Sequence, residues 1–168
     1  MPLRSDWSRR NCSMARGLDV LGDPWTILVL REVFFGNGRF DAMKARLEAA
    51  DSVLTKRLAG LVDAGLLAKQ AYDDGGRVRR EYVLTAKGED VLPVLNAVTI
   101  WAEKHLPAPS EKAHMFVIHS DCGQRTTSAD TCTSCGQQLT AANTSWHSQT
   151  RSETPVALAT ATHPGAAA

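Results

Sequence analysis

The chain of 168 residues has no run of eighteen or more apolar residues, which excludes a membrane-spanning helix of ordinary kind. Its first ten residues are polar and basic, with no apolar segment behind them, so no secretory signal is expected. Cysteine is scarce, at four residues. A cytoplasmic protein is therefore expected, in a reducing compartment where thiols serve metal or redox chemistry more often than structural disulfides. No glycine-rich nucleotide loop and no Ser/His/Asp set is visible, so no enzyme is expected. Excess charge is missing too: the formal net charge is +1. Cutting the chain at residue 106 leaves 16 Lys+Arg against 14 Asp+Glu before it and 3 against 4 after it. Electrostatic attraction to a partner must come from local clusters.

What is present falls into sections. Residues 12–106 carry strong apolar periodicity, and 43% hydrophobic residues overall suffice for a core. Residues 1–11 read as a flexible N-terminus, and residues 107–113, with Pro107-Ala108-Pro109-Ser110, as a linker. Residues 114–139 hold His119 and three of the four cysteines. From 140 to 168, Ala and Thr supply 14 of 29 positions and the only charges are Arg151 and Glu153, so a disordered tail is expected.

Asp23-Pro24 marks a helix start, Asp as cap and Pro at the first helical position. The helix behind it (Trp25, Ile27, Leu28, Val29, Leu30, Val33) is apolar nearly all round, as a central core helix is. Gly36-Asn37-Gly38 ends it, and Phe40, Met43 and Leu47 mark a short helix. From Ser52 to Ala64, Leu54, Leu58, Leu61 and Val62 share one face of a helix; Ser52, Thr55, Lys56, Ala59 and Asp63 share the opposite one. The outer stripe is slim and able to donate hydrogen bonds, without carboxylates near its start. A helix that enters a major groove needs that surface. Strands over Leu67–Tyr72 and Glu81–Leu84 follow, joined across Asp73-Asp74-Gly75-Gly76, with Arg77, Arg79 and Arg80 crowding the return. Thr85 caps a long helix reaching Leu106, with a kink expected at Pro93. This order describes a winged helix-turn-helix and makes double-stranded DNA the first partner to consider. The alternatives are an ordinary three-helix core for the helices and a charge-protected strand edge for the arginines.

Several of these residues also carry a family resemblance. Cys12-x5-Leu18-x2-Leu21-Gly22-Asp23-x-Trp25-Thr26-x3-Leu30-Arg31-Glu32, Gly38-Arg39-Phe40, Leu58-x2-Leu61-x2-Ala64-Gly65-Leu66 and Glu81-Tyr82-x-Leu84-Thr85-x2-Gly88 occur in order. Over residues 12–106 the chain resembles the HxlR family of bacterial winged-helix transcription regulators, relatives of MarR. The resemblance implies a mainly α fold with a small β part (α+β). It implies a homodimer held by the first and last helices, with helix 52–64 in the major groove and the wing beside the minor groove. Ser52, Thr55, Lys56 and Arg57 become the expected base or phosphate contacts, Arg57 a phosphate holder because it lies at the helix flank. Arg39, before a helix, is a weaker phosphate candidate whose alternative is a plain surface arginine. Repression is the expected default.

Cys12 precedes the first helix (Met14 to Leu21), with Arg9, Arg10 and Arg16 near it; a helix N-terminus and cations favour the reactive thiolate. Some members of the resembled family sense oxidants or electrophiles through a cysteine here. This chain has Ser13-Met14 where the family more often has proline and an aliphatic residue, and the alternative is a small packed residue at a dimer interface.

His119-x2-Cys122-Gly123 and Cys132-x2-Cys135-Gly136 form two knuckles. Four soft or borderline ligands at this spacing suit a structural zinc ion in a zinc-ribbon-like module, and a Cys3His sphere leaves no open position for catalysis. Roughly 25 residues build no stable core unaided, whereas metal binding supplies on the order of 10 kcal/mol of apparent folding energy. A Cys132–Cys135 redox pair and a ribbon that folds without metal are the alternatives, and His114 and His147 are outside candidates for the fourth ligand. Zinc deaminase chemistry needs His-x-Glu and Pro-Cys-x-x-Cys; here Asp121 follows Ser120 and no proline precedes Cys132. The competing functional reading is a zinc-ribbon protein-interaction module carried on a winged-helix scaffold.

Overall fold

The computed structural model of the chain describes residues 6–161, which group into two compact units. The first comprises the described residues up to 33 together with 37–83, and the second comprises 34–36 and the residues from 84 onward.

The first unit is built from α1 (Ser13–Leu21), α2 (Pro24–Phe34), α3 (Phe40–Leu47), α4 (Asp51–Asp63) and a hairpin of β1 (Leu67–Asp74) and β2 (Arg77–Leu84). Asp23 starts α2 as expected, its Oδ1 accepting the Trp25 amide at 3.0 Å. Val29, Leu30 and Val33 of α2 are buried with Met43, Leu54, Leu58, Leu61, Leu66 and Leu67. Each such leucine, moved from water to the interior, contributes about 2 kcal/mol. At the end of α2 the fully buried Glu32 carboxylate accepts from Arg31 Nη2 at 2.9 Å and from Asn37 Nδ2 at 3.1 Å, which fixes the turn. The wing strands are longer than the pattern predicts, because only Gly75 and Gly76 form the turn. Their φ values of 62° and 88° supply the doubly positive backbone that a two-residue hairpin needs.

The expected kinked helix is two helices. Thr85 caps the short α5 (Ala86–Glu89), accepting the Gly88 amide at 3.0 Å, and α6 (Leu92–His105) begins afresh with Pro93 in its first turn. Proline is tolerated there because the amide it lacks has no intrahelical partner. The rest of the second unit is an antiparallel sheet in the order β4-β3-β5-β6: β3 (Met115–His119), β4 (Gln124–Arg125), β5 (Thr144–Ser148) and β6 (Val156–Ala157).

The disordered tail is therefore corrected over residues 140–161; residues 162–168 lie outside the described ones, as do residues 1–5 of the expected flexible N-terminus. Thr144-Ser145-Trp146-His147-Ser148 forms an inner strand, and Val117 faces Trp146 in its register with β3. Trp146 is fully buried, with its Nε1–H donating to Asn96 Oδ1 at 2.9 Å. Phe34 and Phe35 meet its ring at centroid distances of 5.6 and 5.2 Å. Small hydroxyl residues pack beneath a sheet as readily as they populate a loop, so composition hid an inner strand. The sheet likewise runs past the expected module boundary at 139, to Ala157. Near the other end, the Trp7 amide donates to Asp19 Oδ1 at 3.2 Å and the Arg10 amide to the Trp7 carbonyl at 3.0 Å, so the part of segment 1–11 that is described is folded against α1.

Candidate nucleic-acid interface and metal centre

Helix α4 turns Leu54, Leu58 and Leu61 inward and leaves Ser52, Thr55, Lys56, Ala59 and Asp63 exposed. Gly65 takes a φ of 72° after its end, and the Leu66 amide returns to the Leu61 carbonyl at 2.9 Å. The helix starts one residue earlier than expected, which puts the Asp51 carboxylate in its first turn. Lys44 answers it at 2.6 Å, and the hydrogen bond to Asp51 raises the Lys44 pKa above its ordinary value. The repulsion of a carboxylate at that end is thereby reduced.

On the wing, Arg77, Arg79 and Arg80 are exposed together with Val78, which is 81% exposed. Arg79 Nε pairs with Asp74 Oδ2 at 2.8 Å, whereas no ion pair holds Arg77 or Arg80 among the described residues. Arg39 is exposed at the start of α3, its guanidinium 4.3 Å from the Tyr72 ring centroid. Arg57 differs from expectation. Its Nη2 lies 2.5 Å from Asp23 Oδ2 and its side chain is 19% exposed, so it is drawn off the outer face toward the start of α2. A helical wheel places Arg57 at the flank and cannot show a carboxylate thirty-four positions away.

Cys12 is the N-cap of α1 and is exposed. Arg16 reaches back over this end, donating to the Arg10 carbonyl at 2.7 Å and to Ser13 Oγ at 3.1 Å. Met14 and Leu18 of α1 are 75% and 49% exposed, and on α6 Val94, Val98 and Trp101 are exposed too.

The four knuckle residues converge. His119 Nδ1 lies 3.2 Å from Cys122 Sγ and 3.3 Å from Cys135 Sγ, Cys122 and Cys132 sulfurs are 3.7 Å apart, and all four donor atoms lie within 4.8 Å of one another. The edge of a tetrahedron of thiolates around zinc is about 3.8 Å, so the sulfur spacing fits a shared ion and is far too long for a disulfide of about 2.05 Å. The two halves are built alike. Gly123 N–H donates to the His119 carbonyl at 2.8 Å and Gly136 N–H to the Cys132 carbonyl at 2.9 Å, with φ of 68° and 75° at the glycines. In the second knuckle the Cys135 and Ser134 amides point at the Cys132 sulfur and lower its pKa to about 6, burial notwithstanding. At Cys122 the Gln124 amide acts the same way, but burial and the neighbouring cysteines outweigh it and the pKa is raised. His119 is fully buried, its Nε2 without a hydrogen bond and 3.5 Å from Asp121 Oδ2. A carboxylate on the side of the non-coordinating nitrogen favours, by its charge, the tautomer that carries the proton there and presents Nδ1 to a metal. His119, Cys122, Cys132 and Cys135 could thus hold one metal ion.

The outside candidates stand elsewhere. His114 Nδ1 is 2.6 Å from Glu103 Oε2, and His147 faces Phe116 across the sheet. Three contributors were not singled out by sequence reading: Asp121, Asn96 and Trp146. Asn96 is fully buried, giving Nδ2–H to the Ala129 carbonyl at 2.9 Å while accepting from Trp146. Trp146, one large apolar side chain among small polar ones, was the available signal for its strand; nothing local marks Asn96, a polar residue whose partners lie 33 and 50 positions away.

The HxlR-like helix-turn-helix family model matches residues 20–110. An uncharacterised HTH-type transcriptional regulator of Mycobacterium tuberculosis is 35% identical over 131 residues, 78% of this chain and 82% of the relative. Another, from Methanothermobacter thermautotrophicus, is 32% identical over 106 residues, 61% of this chain and 80% of the relative. Among solved structures, PA1607, described as a candidate transcription factor, superposes with a TM-score of 0.66 at 32% identity, covering 82% of this chain and 94% of its own. PA1374 of Pseudomonas aeruginosa, described likewise, gives 0.50 at 34%, covering 77% and 86%.

Proposed function

The chain belongs to the HxlR-like helix-turn-helix family, and from that premise we propose that it binds double-stranded DNA sequence-specifically as a homodimer and represses transcription. It is a regulator rather than an enzyme, in keeping with its relatives. The observation that carries the reading is α4: three leucines seat it while Ser52, Thr55 and Lys56 stand free in solvent on a slim outer face. Lys56 and Thr55 read base edges. Arg39, Arg77, Arg79 and Arg80 hold phosphates, and Arg57 serves indirectly, by tying α4 to the start of α2 through Asp23. The exposed apolar residues of α1 and of α6 supply the dimer surface, and two-fold symmetry sets half-sites about 34 Å apart. Zinc is the ion in the Cys3His cluster, closing its sphere for structure. Cys12, exposed at a helix start, is the oxidant- or electrophile-responsive thiol.

Mobility shifts on a selected site and on random duplex test the reading. Lys56→Ala weakens the selected site about tenfold and leaves random DNA nearly unchanged, within the usual worth of a base contact. Equal losses on both remove Lys56 from base reading. For Cys12, alkylation by iodoacetamide at neutral pH faster than a model thiol is expected, and an equal rate excludes the sensor role.

A further inference from the structure

Within the second unit, α6 is tied to the metal cluster by directional contacts. Asn96, fully buried on α6, donates to the Ala129 carbonyl at 2.9 Å and accepts the Trp146 indole N–H at 2.9 Å. Ala129 stands three residues before Cys132, in a loop gathered by Thr126, whose Oγ1 donates to the Thr131 carbonyl at 3.1 Å and accepts the Ser128 and Thr133 amides at 3.2 Å each. Seven residues along the same helix face, the Glu103 carboxylate accepts the Met115 amide at 2.8 Å, at the start of the strand that ends in His119. A cavity of about 470 Å³ bounded by Ile100, Met115 and Val117 lies alongside, so packing of α6 on β3 is incomplete there and the polar pins matter more. The exposed Val94, Val98 and Trp101 lie away from that pinned face.

The thiols of the cluster differ in access. Cys135 is exposed, Cys122 half-buried and Cys132 buried. The Gly136 amide, returning to the Cys132 carbonyl at 2.9 Å, folds Cys132 to Cys135 into one turn with the exposed residue at its outer end. That turn serves a metal knuckle, and a C-x-x-C turn also permits a disulfide of about 2.05 Å once no ion holds the sulfurs apart.

We propose that the cluster is a peroxide-responsive site, in which a bond forms between Cys132 and Cys135, the metal is released and α6 loses its anchorage. The Cys135 thiolate attacks one peroxide oxygen; the O–O bond breaks, hydroxide leaves and a sulfenic acid remains. The Cys132 thiolate then attacks the Cys135 sulfur, the S–O bond breaks and a second hydroxide leaves. Two thiolates are thereby oxidised to one disulfide, and one peroxide is reduced to two hydroxides, which take protons from solvent. Only His119 and Cys122 then remain as ligands, too few to close a tetrahedral site. Without the metal the loop through Ala129 loses its folding energy, and Asn96 loses the partner that seats α6. The two pictures of the cysteines, metal ligands and redox pair, become two states of one site. The consequence for subunit pairing rests on the dimer and zinc readings above; the coupling of cluster to α6 does not need the dimer.

The test uses full-length Cys12→Ser, in which the cluster holds all remaining thiols, loaded with zinc and treated with hydrogen peroxide. One zinc per chain is expected to reach a chromogenic chelator, with a Cys132–Cys135 bridge in the mass spectrum. Hydrogen exchange around Asn96 and across β3 is expected to quicken at least about tenfold while α4 stays unchanged, and sedimentation to shift from dimer to monomer. Dithiothreitol with added zinc is expected to restore all of these, which methionine oxidation would not allow. Zinc retained under peroxide overturns the proposal, a bridge to Cys122 overturns the assigned pair, and zinc loss with unchanged exchange in α6 overturns the coupling. A protein that takes up no zinc fails the zinc reading and the proposal with it. One that is monomeric before treatment fails the dimer reading alone, since zinc release and exchange still decide the rest.

Discussion

The winged-helix unit and the ribbon unit are ordered by different physics. In residues 37–83, leucines spaced three and four apart turn α4 inward, glycines close its end and the wing, and the buried surface is nearly all apolar. In residues 114–148 the buried set includes His119, Thr126, Thr144, Ser145 and Ser148, and order depends on a convergence of four metal-type ligands and on the Asn96–Trp146 pair. The first arrangement degrades gradually when one contact is lost. The second concentrates its stability in a few directional contacts, and removing one uncovers several polar groups together.

The sharpest break in this contrast comes from the metal ligands. Cys132→Ser, or chelation of the parent protein, removes stabilisation on the order of 10 kcal/mol from the ribbon. Hydrogen exchange is expected to show lost protection across β3 and β5 while the amides of α4 keep theirs; retained protection in β3 would mean that the ribbon folds without metal. Cobalt substitution, read by its thiolate charge-transfer absorption, is expected to follow the same cysteine.

The corresponding cut in the winged-helix unit is smaller. Leu58→Ala leaves a cavity at a fully buried position and costs about 3 kcal/mol, read as a lower denaturant midpoint. Asn96→Leu, by contrast, strands the Trp146 indole N–H and the Ala129 carbonyl. It is expected to cost about 2 kcal/mol despite adding apolar surface; a neutral result would show that Trp146 is held by its aromatic neighbours alone.

This difference decided how much could be read without coordinates. Local signals exposed α2, α3 and α4, because Asp23-Pro24 marks a helix start, Phe40, Met43 and Leu47 share one face, and Leu54, Leu58 and Leu61 repeat with the helical turn; Gly75-Gly76 announced the hairpin. The His-Cys and Cys-Cys spacing announced the metal cluster for the same reason: its signal is local. What escaped was non-local. Thr144–Ser148 looked like tail because its neighbours in composition are Ala and Thr, and its place in the sheet depends on β3 some thirty residues earlier. The position of Arg57 on the flank of α4 points to a phosphate, whereas Asp23, just before α2, decides where its guanidinium points. Pro93 was read as a kink, since the rule that a proline disturbs a helix does not say whether it bends one or begins the next.

The finest distinction lies within the wing. Arg77→Gln is expected to reduce the log–log salt slope of DNA binding by about 0.9. Arg79→Gln is expected to reduce it less, because Asp74 already neutralises part of that charge. Equal reductions would indicate that the Arg79–Asp74 pair opens on DNA.

The most direct measurement of the central claim, that the outer face of α4 reads DNA for a two-fold symmetric pair of subunits, is selection of bound duplexes from a random library with the full-length protein. Enrichment of an inverted repeat with half-site centres about one helical turn apart, lost in Lys56→Ala, is the predicted result. Recovery of no sequence above the starting pool at moderate ionic strength would contradict it.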